Sequence, residues 1–123
     1  MSNSNCTVRV TRLYTGADQQ SHFEDFDVAL DDHGLIGHLS ARHPVTSLIF
    51  RHTGGDYDYQ WHNAPERQYI VILAGGLDVE IGDGSRRVFG PGDILLAEDT
   101  TGQGHISRAV NGEPRRSLFI TID

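Results

Sequence analysis

A chain of 123 residues with a formal charge of −7 is long enough for one domain with a core and too short for two ordinary ones. Its ten basic residues are all Arg, grouped at most as Arg86-Arg87 and Arg115-Arg116, both read as solvated strand ends, so a nucleic-acid surface is excluded. No run approaches the roughly 18 apolar residues of a membrane span, and the lone Cys6 permits neither an intrachain disulfide nor a Cys-based zinc site. Residues 1–5 are polar and unlike a signal peptide, so a cytoplasmic protein with no membrane partner is expected.

The chain reads as all-β. Segments rich in Val, Ile, Thr, Phe and Tyr are broken by Gly, Asp, Asn and Pro. Strands are predicted at Thr7 to Tyr14, Phe23 to Leu30, Leu35 to Ala41, Val45 to His52, Gln68 to Leu73 and Leu77 to Ile81. Others follow at Arg86 to Phe89, Ile94 to Ala97, His105 to Val110 and Ser117 to Ile122. Leu77, Val79 and Ile81 alternate with Asp78 and Glu80, the period of a strand with one buried face. Gly82-Asp83-Gly84-Ser85 supplies the residues of a tight hairpin, and Gly90-Pro91-Gly92-Asp93 those of a second turn. About ten short strands at this spacing imply a sandwich or barrel, in a single domain over residues 1–123.

The region from Trp61 to Arg108 carries the candidate chemistry. It begins with Trp61-His62-Asn63-Ala64-Pro65-Glu66-Arg67-Gln68 and ends beyond Gly104-His105. Two histidines flanking a block of paired strands can converge inside a barrel, where imidazole serves as a metal ligand or a proton carrier. Strand parity puts Gln68, Ile70 and Ile72 on one face and Tyr69, Val71 and Leu73 on the other. On the strand from Val45 two registers remain open: Leu48, Phe50 and His52 inward, or Ile49 and Arg51 inward. Gly104 allows close backbone approach beside His105. Glu98 follows an apolar strand, and a partly desolvated carboxylate there could act as a general acid or base beside His105. His22, His33, His38 and His43 read as surface histidines.

Two strings resemble the motifs of the cupin superfamily, small jelly-roll barrels built as a double-stranded β-helix. Gln68-Tyr69-Ile70-Val71-Ile72-Leu73-Ala74-Gly75, with His62 before it, is similar to the second half of the first motif. Gln68 stands where the family usually has Glu. Gly90-Pro91-Gly92-Asp93-Ile94-Leu95-Leu96 and His105 are similar to the second motif, with a loop about two residues longer than usual. The likeness covers roughly Gly55 to Val110 and points to small bacterial single-domain cupins.

The resemblance implies a small-molecule metalloenzyme of oxygenase or isomerase/lyase type. Its divalent ion (Fe, Mn, Ni or Zn) would be held by His62, Gln68 and His105, and its catalytic residues would be His62, His105 and Glu98. Two other readings stand beside it. One is a metal-free isomerase relying on a histidine. The other is a non-catalytic cupin that binds a sugar, an organic acid or an aromatic metabolite. A homodimer is expected, because the outward Tyr69, Val71 and Leu73 are apolar enough to need covering.

Overall fold

The computed structural model describes residues 6–123, and the polar run expected not to be a signal peptide lies outside them. Its strands are β1 (Thr7–Thr15), β2 (Ser21–Ala29), β3 (Asp31–Asp32), β4 (His38–Leu39), β5 (Ser47–Thr53) and β6 (Asp58–His62). They continue with β7 (Gln68–Ala74), β8 (Leu77–Glu80), β9 (Arg86–Phe89), β10 (Ile94–Glu98), β11 (His105–Ala109) and β12 (Arg115–Thr121). The helical content of the described residues is one 3-10 turn at Gly34–Ile36. No helix among them is long and apolar enough to cross a membrane.

One sheet has six strands in the order β2-β1-β10-β7-β12-β5, and a second has four in the order β6-β11-β8-β9. They pack face to face. Leu13, Ile70, Ile72, Leu95, Ala97 and Phe119 of the first sheet meet Leu77, Val79 and Phe89 of the second, with Ile81 just past β8. Leu13 and Val79 are fully buried and Ile72 and Leu95 nearly so, each burial contributing about 1.5–3 kcal/mol. Burial along β7 follows the expected parity, with Gln68, Ile70 and Ile72 inward. The β8–β9 hairpin closes as expected, with Ile81 N–H donating to the Ser85 carbonyl and Gly84 at φ +89°. In the Gly90–Asp93 turn, the Asp93 carboxylate accepts from Gly90 N–H at 2.8 Å while Gly92 sits at φ +90°.

Three expectations need correcting. The sheets do not close into a barrel: β5 and β6 are free edges on one side, and β2 and β9 on the other. Leu35 to Ala41 is not a strand. Gly34 and Gly37 take φ of +73° and +100°, breaking the extended run into the 3-10 turn and a two-residue β4. Conversely, no strand is predicted at Asp58–His62, where the structure has β6. It is an edge strand exposed along most of its length, so it lacks the buried face by which sequence alternation reveals a strand. Nine of the ten predicted strands have counterparts, and the additions are β3, β4 and β6.

Candidate functional site

A cavity of about 290 Å³ lies between the two sheets. Its exposed lining residues Ile49 and Tyr59 come from β5 and β6, so it opens where those two edges fail to pair. The open choice on β5 is resolved: Ile49 and Arg51 face the cavity, because Ile49 pairs with the inward Phe119 and Phe50 with the outward Leu118.

His62 and His105 are direct partners across β6 and β11, with their ring centroids 4.4 Å apart. Gly104 makes this approach feasible. It adopts φ +77°, and a Cβ there would stand 2.1 Å from the His62 carbonyl oxygen. His62 is also stacked on Tyr59, with centroids 3.7 Å apart and planes 7° from parallel. Its Nδ1–H donates to the Gln60 carbonyl at 2.7 Å, which leaves Nε2 with the lone pair. Burial, the largest influence, pushes the His62 imidazole below its ordinary pKa. The neighbouring His105 adds to this, while the hydrogen bond to Gln60 opposes it.

His105 is held more firmly. Its Nδ1 lies 2.6 Å from Asp99 Oδ2, and the same oxygen accepts from the Ser21 hydroxyl at 2.7 Å. Asp99 is fully buried, and its Oδ1 has no partner among the described residues. An ionised Asp99 fixes the proton of His105 on Nδ1 and leaves Nε2 as a base. This Ser21–Asp99–His105 chain joins β2, the end of β10 and β11.

Gln68 is buried in the cavity wall as expected, level with Ala97 on one side and Thr121 on the other. Glu98 is elsewhere. Leu95 and Ala97 line the cavity, so Glu98 points to the opposite face of the sheet, and it is bound at 2.5 Å by both Arg12 and Arg67. Burial alone would raise its pKa, but hydrogen bonds and charge from the two arginines together hold it below the ordinary carboxylate value. The acid beside His105 is the next residue, Asp99. Of the histidines read as surface residues, His33, His38 and His43 are exposed and His22 pairs with Asp18 at 2.9 Å.

The motif resemblance implies a divalent ion held by His62, Gln68 and His105, all three of which line the cavity. His62 and His105 offer two nitrogens and Gln68 a neutral amide oxygen, which holds divalent ions less strongly than a carboxylate does. Among the described residues no group of three or more His, Cys, Asp or Glu side chains is placed to hold a metal ion. The residues present do not fit a resident divalent ion.

Sequence reasoning missed the other charged lining residue. Arg115, taken there for a solvated strand end, opens β12 and is only 2% exposed. Its Nε and Nη1 have no hydrogen-bond partner among the described residues, and Nη2 reaches Thr53 Oγ1 at 3.4 Å. The guanidinium carbon lies 5.1 Å from the Tyr57 ring centroid, and the Tyr57 hydroxyl is hydrogen-bonded to Ser107 at 2.7 Å. Burial, first, and the charge of Arg51 push Arg115 below the ordinary arginine pKa, while Tyr57 opposes them. By register Arg115 sits toward the Ala74 end of β7 and the histidines toward the Gln68 end.

No protein-family model and no curated protein matches the chain. Among solved structures, the crystal structure of protein NMB1881 from Neisseria meningitidis aligns with a TM-score of 0.49 at 17% identity. The alignment covers 62% of this chain and 72% of that one.

Proposed function

We propose that this chain is a small cytoplasmic enzyme of cupin-like jelly-roll type that moves a proton on a small molecule held between its sheets, as an isomerase or lyase does. The observation that carries this reading is the Ser21–Asp99–His105 chain. It aims a base of fixed tautomer into a cavity beside a second imidazole. His105 Nε2 takes a proton from carbon, and Asp99 stabilises the imidazolium that forms. His62, kept neutral by burial, offers Nε2 as a second station for the proton.

The test is solvent exchange. The protein is incubated in D2O with a panel of small oxo acids, hydroxy acids and sugars, and loss of C–H signal is followed by proton NMR. Exchange on at least one compound that survives chelator treatment and disappears in His105→Ala supports the reading. Exchange restored only by Fe, Mn, Ni or Zn would favour the metalloenzyme implied by the motifs. Compounds that bind without exchange would favour the non-catalytic binding module.

We also propose a homodimer through the outer face of the six-stranded sheet. Phe50 is 78% exposed, Leu48 51% and Leu73 53%, and half-buried Tyr69, Val71, Leu118 and Ile120 lie on the same face. An apolar expanse of this kind is what a second copy covers in a twofold pairing. Sedimentation at micromolar concentration should give a dimer for the native chain and a monomer for Phe50→Asp. A native monomer overturns the pairing.

A further inference from the structure

Proton transfer at the histidines makes no use of Arg115. A cation taken out of water is costly unless carboxylates or other acceptors surround it. Among the described residues Arg115 has no carboxylate partner, and its Nε and Nη1 make no hydrogen bond within the usual geometry, Tyr57 being the polar neighbour that opposes its desolvation. Other arginines show the contrast: Arg9, Arg12, Arg67, Arg86, Arg87 and Arg108 are all paired with acids. Arg51 also lines the cavity and brings a second guanidinium, which stacks over Phe119 at 4.6 Å. A protein of net charge −7 thus places two arginines in the lining of one cavity.

We propose that Arg115 is the anchor for an oxyanion on the small molecule, a carboxylate or a phosphate, with the rest of the molecule extending toward His105 and His62. This inference rests on the cavity being the small-molecule site proposed above. The planar guanidinium matches an oxyanion with two parallel N–H donors; Nε and Nη1 lack hydrogen-bond partners among the described residues, and either forms a parallel pair with Nη2, whose contact with Thr53 Oγ1 is long at 3.4 Å. Arg51, on the edge strand β5 where the cavity opens, adds a second positive charge that attracts the anion. The cavity volume of about 290 Å³ restricts the ligand to a compact anion.

Full-length protein is titrated calorimetrically with benzoate, malonate and inorganic phosphate, and with benzamide and malonamide as uncharged counterparts. At least one anion should bind saturably, and its affinity should fall about tenfold or more in Arg115→Met. Arg115→Lys should keep part of the affinity, and the surface control Arg86→Met should keep all of it. The two carboxylates and the phosphate separate the two oxyanion classes. Because Met removes an uncompensated buried charge, Arg115→Met should melt at the native temperature or above it. A guanidinium serving only as a structural tether predicts the reverse, a lower melting temperature with anion binding intact, and that result overturns the proposal. So does equal binding of the amides, or no saturable binding by any of the three anions. His105→Ala should lose deuterium exchange and retain anion binding. Anion binding through Arg115 without exchange on any compound would therefore leave the anchor standing and remove the proton-transfer reading.

Discussion

The two ends of the cavity treat their charged groups in opposite ways. At the Gln68 end the protein supplies partners for the reacting groups: Asp99 Oδ2 holds His105, Ser21 holds Asp99 (whose Oδ1 alone is unpartnered among the described residues), and the Gln60 carbonyl holds His62. At the Ala74 end Arg115 is buried to a similar depth with most of its donors unmatched. A group fixed from behind has its orientation settled before anything binds, and such preorganisation is what acid–base chemistry requires. A buried group left unmatched raises the energy of the empty protein and recovers it when a complementary ligand arrives. The contrast divides the cavity into an end that reacts and an end that recognises.

The largest expected effect falls on the reacting end. His105→Ala should reduce deuterium exchange by at least about a hundredfold, the usual scale of a positioned base. Asp99→Asn should approach that loss although it adds and removes no bulk. An amide can present its NH2 to Nδ1, which moves the proton to Nε2 and takes away the base. Exchange unchanged in Asp99→Asn would break the division between the two ends.

A smaller effect is expected where the backbone sets the spacing. Gly104→Ala forces a side chain onto a positive φ and into the His62 carbonyl. The cost is about 1–3 kcal/mol, visible as a lower chemical-denaturation midpoint. Because β6 must yield, the stacking of His62 on Tyr59 should be lost as well, and the His62 ring resonances should shift. Anion binding at Arg115, at the other end of the cavity, should persist. If both ends fail together, the cavity behaves as one unit.

Much of this was legible in the sequence. Turn glycines and period-two alternation located nine strands, and parity on β7 put Gln68 inside. Gly104 was recognisable as a point of close approach. The misreadings have specific causes. With Leu95 and Ala97 inward, continued alternation selects Asp99 and turns Glu98 away, but the strand end hid that the parity runs one residue further. Arg115 shares a face with Ser117 and Phe119, a signal lost when the doublet Arg115-Arg116 is read as a solvated end. The β5 register could not be chosen locally, because Leu48 and Phe50 are as apolar as Ile49. The Ser21–Asp99 bond spans 78 residues and has no local signature. The β5 and β6 edges stay unpaired through the packing of the whole chain, which no motif reports.

The smallest expected effect concerns Glu98, and it sharpens the comparison by its absence at the site. Glu98→Gln keeps the shape and removes the charge between Arg12 and Arg67. Deuterium exchange and anion binding should both match the native protein, since the side chain lies on the far face of β10. Stability should fall by about 1 kcal/mol, a modest figure because both arginines are partly exposed and solvent screens them. The loss should depend on pH with a definite sign. The folded pKa of Glu98 lies below its unfolded value near 4.5, so the native form binds fewer protons than the unfolded chain as acid is added. The stabilisation is complete above that value and disappears as pH falls through the folded pKa. Urea midpoints of native protein and Glu98→Gln should therefore differ at pH 7 and converge in acid. A gap that widens in acid would mean that Glu98 is protonated in the native state, and the pairing with Arg12 and Arg67 would then not account for its position.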